Sequence, residues 1–237
     1  MVTEPYLSDR FVVLGRRPFR DNDAHLVLLG EQLGKCVALA KGVGKPTSKL
    51  SSLLEVGNLI EAELYDGKAG YTLLSASQVA GFSRRFASYE ALCTSVTICE
   101  LTDAALEQGP GEEEVFRFLT QTLAAMNDRN LIEMRLRFEW ALLQWSGYAS
   151  DDPQDFLALL ARFWRTESFS PEKQALADEL LAFFSVPLAS ARVGDYLLSK
   201  QARKTMRRLL DKLISSQLSL RLKSVALLDA ATMQFYP

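Results

Sequence analysis

The stretch Gly34–Lys49 holds lysines at 35, 41, 45 and 49, glycines at 34, 42 and 44, and no acidic residue. Lysine ammonium groups meet phosphate as point charges, and glycine lets a backbone pass close to it. The whole chain has a formal charge of −2, so this positive run is a local departure. Its first half reads as a strand and its second as a loop, which places phosphate-binding chemistry at the end of a sheet. The alternative is a solvated lysine loop with no ligand, since lysine runs are commonly just exposed faces. Arg16, Arg17 and Arg20 form a second basic group, expected in the loop after the first strand, where they would border the same groove. Phe19 and Tyr71 are the candidate rings for stacking on bases, with Tyr71 alternatively part of the core.

A further basic group lies at residues 200–212. Lys200, Arg203, Lys204, Arg207, Arg208 and Lys212 interleave at helical spacing with Ala202, Met206, Leu209, Leu213 and Ile214. The pattern predicts an amphipathic helix from an N-cap at Ser199 to about Leu218, with its basic face outward. That face is either solvated, or a surface for phosphate or for an acidic partner. Arg162 and Arg165 are an alternative basic pair for such a partner. A membrane-surface role is disfavoured, because the apolar stripe is needed to pack a helical domain.

The elements that must position these groups fall into two regions. Phe11–Leu14, His25–Leu29 and Cys36–Ala40 are short apolar runs, each closed by a nearby glycine. Val56–Tyr65 ends with Ile60, Ala62 and Leu64 alternating with Glu61 and Glu63, the period of a half-buried strand. Asp66-Gly67 is a hairpin signal, with Tyr71–Leu74 as the return strand. Between strands three and four, Thr47–Glu55 predicts a short helix with Leu50, Leu53 and Leu54 inward. Three strands, a short helix and two strands make the layout of an OB-fold barrel. Beyond about residue 77 the period becomes helical. Helices are expected over Ser88–Leu106 (stripe Leu92, Cys93, Val96, Cys99), from Glu112 (stripe Val115, Phe118, Leu119, Leu123), over Leu131–Trp145, Phe156–Trp164 and Glu172–Phe184, and from Ser199. The fold class is therefore α+β: an OB-fold over 1–80 and an all-helical region over 81–237.

Charge is segregated along the chain. Residues 1–80 balance, 81–191 sum to −8 and 192–237 to +6, so one face suits a polyanion and another repels it or takes a basic partner. Enzymatic chemistry finds little support. Gly42-Val43-Gly44-Lys45-Pro46 lacks the spacing of a Walker loop, and no H-E-x-x-H or G-x-S-x-G is present. The lone His25 falls on an apolar strand, where a packed or edge histidine is expected and not a catalytic one. The carboxylates of the middle region read as solvated helix surface. Cys36, Cys93 and Cys99 fit neither a disulfide framework nor a C-x-x-C site, so buried reduced thiols are expected, with no metal and no cofactor. No apolar run approaches membrane-spanning length and no secretory signal is visible, which points to a cytoplasmic location.

Val12-Val13-Leu14 with Arg17-Pro18-Phe19, Gly34-Lys35, Ala40-Lys41-Gly42, Lys45 and Ser48-Lys49-Leu50 resembles the N-terminal domain of the RecO family of bacterial DNA repair proteins. Leu64-Tyr65, Phe138-Glu139-Trp140-Ala141-Leu142-Leu143 with Gly147-Tyr148, and Arg221-Leu222-Lys223-Ser224 are similar to later family segments, in the same order. The resemblance implies an OB-fold followed by helices, with no catalytic centre. It implies binding of single- and double-stranded DNA, strand annealing, and help in loading RecA onto DNA coated by single-strand-binding protein. RecR and the acidic tail of single-strand-binding protein are the implied partners, and the location is nucleoid-associated. Lys35, Lys41, Lys45, Lys49, Arg16, Arg17, Arg20 and Phe19 would then be the DNA site. The 200–212 helix would extend it or take the acidic tail. A protein-interaction module with no primary DNA role is the alternative. Many family members carry a four-cysteine zinc module, whereas residues 149–190 here contain no cysteine.

Overall fold

A computed structural model describes residues 5–82, 88–110, 112–188, 190 and 192–217. By packing, the chain divides into one unit running to Ala124 and another from Ala125 through the last helix. The strand-to-helix change falls near residue 80, but the first two helices group with the strands.

The first unit is built on a closed five-stranded barrel. Its strands are β1 (Tyr6–Phe19), β2 (Asp23–Gly30), β3 (Gly34–Ala40), β4 (Leu59–Gly67) and β5 (Gly70–Ala80), ordered β1-β2-β3-β5-β4 around the barrel. This is the OB-like barrel anticipated from strand order. β1 is much longer than its apolar run. Its first half pairs with β4 and its second with β2, and the register shifts between Val13 and Gly15. Such a bulge bends a strand, so β1 continues through Gly15 rather than ending there. β3 and β5 close the barrel in parallel, Ala38 opposite Tyr71 and Leu39 opposite Thr72. Alternate residues fill the interior: Phe11, Val13, Leu26, Leu28, Ala38, Ile60 and Leu64 are buried together.

Two local expectations need correction. The β4–β5 turn is Lys68-Ala69, between the paired Gly67 and Gly70. Asp66 stays in the sheet because its amide donates to the Pro5 carbonyl at 2.7 Å, which pushes the turn two residues onward. Thr47–Glu55 forms turns and no helix. The amides of Leu53 and Leu54 both donate to the Leu50 carbonyl at 3.1 Å, and fully buried Leu54 plugs the barrel.

Two helices complete this unit, α1 (Tyr89–Ala105) and α2 (Glu113–Ala125). Ser88 caps α1, its Oγ accepting from the Ala91 amide at 3.2 Å. The stripe expected on α1 is wrong in large part. Leu92 is exposed, while Ala91, Thr94, Ser95, Ile98, Leu101 and Thr102 are buried with Cys99. The hydroxyls enter the core because each donates to a carbonyl three or four residues back, as Thr102 does to Ile98 at 2.9 Å. On α2 the expected Val115, Phe118, Leu119 and Leu123 are all buried.

The second unit contains α3 (Leu131–Trp145), α4 (Pro153–Trp164), α5 (Pro171–Phe184) and α6 (Lys200–Gln217). Asp152 and Ser170 cap α4 and α5 ahead of prolines at the first helical position, where the missing N–H costs nothing. Trp140, Phe156, Phe183 and Phe184 interlock with ring centroids 4.9–5.8 Å apart. Leu136, Leu143, Leu160, Leu180, Met206 and Leu210 surround them.

The carboxylates of α3 are not solvated surface as expected. Glu133 and Glu139 are buried with Arg135 and Arg137. Glu139 pairs with Arg135 at 2.6 Å and Glu133 with Arg203 of α6 at 2.6 Å. Burial pulls the Arg137 guanidinium down to about 10. Its Nη1 donates to the Val186 carbonyl at 2.7 Å, and it lies 3.8 Å from the centre of the Phe183 ring.

Candidate nucleic-acid interface

The β3–β4 connection leaves the barrel at Lys41. Its first turn is tied to the start of β2: the Gly42 amide donates to Asp23 Oδ1 at 2.7 Å and the Gly44 amide to the Asn22 carbonyl at 2.7 Å. Gly42 has φ +66°, a left-handed conformation that glycine takes without strain. At Gly44 a side chain would meet the Asn22 backbone at 3.2 Å, so glycine permits the close approach. Buried Val43 anchors this turn to the core as Leu54 anchors the far limb. Lys41, Lys45 and Lys49 are exposed, and among the described residues none has an acidic partner within ion-pair distance.

Lys35 does not belong to this group. It is on β3, its side chain only 11% exposed, and its Nζ pairs with Asp103 Oδ1 at 2.7 Å. The same ammonium donates to the Leu106 carbonyl at 2.7 Å and to the Asp103 carbonyl. It thus satisfies the C-terminal carbonyls of α1, as a lysine at a helix end does, and is not placed to meet phosphate. The Gly109 amide donates to the Lys35 carbonyl at 3.1 Å, which docks the segment after α1 on the same strand.

The arginine group also separates. Arg16 and Arg17 lie within β1, opposite Leu26 and His25, because the strand passes through the Gly15 bulge. Arg16 points to the β3–β4 loop and donates to Val43 and Ser51. Arg17 is exposed, with Asp103 at 3.5 Å. Arg20 is exposed in the β1–β2 turn with φ +54°. Phe19 stacks on His25 with centroids 4.3 Å apart and 23° between planes, and Arg20 lies 5.0 Å from its ring centre. His25 is therefore a packed histidine. Tyr71 is part of the barrel wall, packed against the core cluster, and burial raises its hydroxyl pKa, aided by Asp66 and Cys36.

The two buried thiols, Cys36 and Cys99, are not poised for chemistry. Burial pushes both Cys36 and Cys99 up to about 12, so they stay protonated near neutrality. Among the described residues no group of three or more His, Cys, Asp or Glu side chains is placed to hold a metal ion.

Within the second unit, α6 sorts its six basic residues. Arg203 is taken by Glu133, and Arg207 pairs with Asp211 at 3.0 Å. Lys200, Lys204, Arg208 and Lys212 remain exposed. They repeat every fourth residue, a rise of about 6 Å per step, so they form one row. Lys204 and Arg208 border a cleft of about 680 Å³ whose lining includes Phe163, Trp164, Leu176 and Lys173. The Lys173 ammonium is 5.8 Å from the Trp164 ring centre. Of the acidic residues on this cleft, Glu179 is engaged in the α6 N-terminus. Its carboxylate accepts from the Ser199 amide at 2.6 Å and hydroxyl at 2.8 Å. Arg162 and Arg165 are exposed at the end of α4 and do not line the cleft.

The family model for the N-terminal domain of recombination protein O matches residues 4–82, and that for its C-terminal domain matches residues 87–152. The chain belongs to the RecO family. A "DNA repair protein RecO" from Clostridium perfringens is 31% identical over 142 residues, covering 58% of this chain and 56% of that protein. Its Clostridium novyi counterpart is 29% identical over 142 residues, 59% of this chain and 56% of that protein. The matched stretch thus spans little more than half of these clostridial relatives. A Streptococcus thermophilus RecO is 25% identical over 245 residues, 94% of this chain and 93% of that protein. The RecO models take in the barrel, α1, α2 and α3, while α4–α6 lie beyond them. Residues 149–190 contain no cysteine, so they offer no ligands for the four-cysteine module that the resemblance raised. In this stretch Phe156 and Phe184 pack on Trp140, Phe183 packs on Phe184, and Trp164 lies against Phe169 at 5.3 Å. The RecO-like segment Arg221–Ser224 lies outside the described residues.

Proposed function

We propose that this chain is a DNA-binding recombination mediator of DNA repair, acting without catalytic chemistry of its own. The observation that carries this is the β3–β4 loop. It presents Lys41, Lys45 and Lys49 exposed on an OB-like barrel, without acidic partners among the described residues, in a family whose relatives are named for DNA repair. Like charges held on one fixed loop repel one another, and a polyanion relieves that repulsion. The loop holds single- and double-stranded DNA by its phosphates, with Arg17 and Arg20 flanking. Neutralised strands held on one protein approach each other at lower cost, which promotes annealing. Loading of RecA onto coated DNA, with RecR as partner and at the nucleoid, is the role this activity serves. No helix among the described residues is long and apolar enough to cross a membrane.

Fluorescence anisotropy of a labelled single-stranded oligonucleotide tests the reading. Three lysine contacts give a log–log slope against salt of about −2, at about −0.7 per phosphate. No binding at low salt, or binding indifferent to salt, would favour a protein-interaction module instead.

The acidic tail of single-strand-binding protein finds its best place at the α4–α6 cleft. Lys173, Lys204 and Arg208 supply charge there, and Phe163, Trp164 and Leu176 supply an apolar floor. A synthetic acidic peptide is expected to change the fluorescence of Trp164, which lines the cleft. That change should vanish in a Lys204→Glu/Arg208→Glu variant, and a response that survives the double reversal places the tail elsewhere.

A further inference from the structure

The β3–β4 connection runs from residue 41 to residue 58, longer than most loops that lack secondary structure of their own. It is nevertheless held along its length. Asp23 and Asn22 fix its first turn. Asn58 fixes its end, donating from Nδ2 to the Ser52 and Leu53 carbonyls at 3.2 Å each. Between these ties, the Arg16 side chain joins the two limbs. Arg16 Nη1 donates to Ser51 O and Ser51 Oγ at 3.3 Å each, and Nη2 donates to the Val43 carbonyl at 3.4 Å.

This contact has a direct bearing on the lysines. Val43 lies between Lys41 and Lys45, and Ser51 lies two residues beyond Lys49. The Lys45 stem crosses Gly42, its Cε 3.6 Å and Nζ 3.9 Å from where a Cβ there would sit. The Lys45 ammonium lies over the turn that carries Lys41. Holding three cations on one loop works against their mutual repulsion, so a tie between limbs is needed where the charge is concentrated. A planar fork of donors reaches two limbs at once, and the single ammonium of lysine does not.

We infer that Arg16 is a positioning residue for nucleic-acid binding. It acts through Lys41, Lys45 and Lys49 by joining the limbs of their loop, and not through a phosphate contact of its own. This rests on the DNA-binding reading above, and it gives Arg16 a role different from that of exposed Arg17 and Arg20.

The test is a cycle of variants read by anisotropy on the same oligonucleotide: Arg16→Gln, Arg16→Lys, Lys41→Ala/Lys45→Ala/Lys49→Ala, and the last combined with Arg16→Gln. Arg16→Gln is expected to weaken binding roughly three- to tenfold, the scale of one ordinary hydrogen bond, because the Arg16 contacts are long, at 3.3–3.4 Å. Arg16→Lys, which keeps the charge but loses the fork, should weaken it equally. In the triple-alanine background Arg16→Gln should cost nothing further, since coupled residues do not add. Amide exchange at Ser48, Leu53 and Leu54 should quicken in both single variants while β4 and β5 keep their protection. The inference is overturned if Arg16→Lys binds like the parent, if the losses multiply in the combined variant, or if loop exchange is unchanged. A triple-alanine chain that binds like the parent overturns the DNA site itself, a failure visible without any Arg16 variant.

Discussion

Arg203→Met should lower the unfolding free energy by about 3–5 kcal/mol, the cost of leaving a buried charge without its partner. Glu133 is 1% exposed, and its Oε1 accepts from Arg203 Nε at 2.6 Å and the Leu198 amide at 3.1 Å. Removing the guanidinium leaves a buried carboxylate with one amide donor and only the nearby Arg137 charge, which is turned to the Val186 carbonyl and the Phe183 ring. The reverse change costs less. Arg203 keeps 30% of its side chain exposed, so in Glu133→Gln it can turn to water, and the glutamine oxygen still accepts from Leu198. About 1–2 kcal/mol is expected there, near the cost of an ordinary hydrogen bond lost from a charged group. Urea denaturation separates the two as different shifts in midpoint at similar slope. The ordering is the informative part: if Arg203→Met is no worse than Glu133→Gln, the carboxylate is not the buried member that sets the cost. A fall in DNA or acidic-peptide affinity in Arg203→Met would then follow from a loosened α6, since the guanidinium is occupied by Glu133.

Much of the architecture was legible because local signals agreed with it. The alternation of Ile60, Ala62 and Leu64, the N-cap at Ser199 and the stripe Val115, Phe118, Leu119 and Leu123 each act within a few residues. A one-dimensional reading captures interactions of that range. What failed depends on partners far along the chain. Lys35 looked like part of the lysine loop, yet Asp103 and Leu106, nearly seventy residues on, claim its ammonium. Arg203 looked like surface because its partner Glu133 lies seventy residues earlier. Arg16 and Arg17 were displaced from loop to strand by a bulge, and an apolar run ending in glycine does not distinguish a bulge from a stop. The buried face of α1 was hidden by a different cause. Thr94, Ser95, Thr97 and Thr102 count as polar in any periodicity, but their hydroxyls are satisfied within the helix. The three lysines that remain adjoin Gly42, Gly44, Pro46 and Ser48, and among the described residues no acid is close enough to pair with them.

Those three carry the largest expected functional effect. If each of Lys41, Lys45 and Lys49 neutralises one phosphate, the counterion-release term gives about 0.7 of a decade per contact at about 0.1 M salt. The triple alanine variant should then bind single-stranded DNA about 100-fold more weakly there. The difference should shrink steadily with added salt and close near about 1 M, because that term vanishes where counterions gain nothing on release. The log–log slope should fall by about 2. Stability offers a control: all three side chains are exposed and lack acidic partners among the described residues, so the urea midpoint should hold within the about 0.5 kcal/mol typical of surface changes, or rise as like charges are removed. Lys35→Ala would produce the opposite pattern, an earlier unfolding transition with the salt slope kept, because its ammonium holds the end of α1 and no phosphate. A triple variant that loses affinity equally at all salt concentrations would mean that the lysines shape the loop and that the anionic strand is met elsewhere on the barrel.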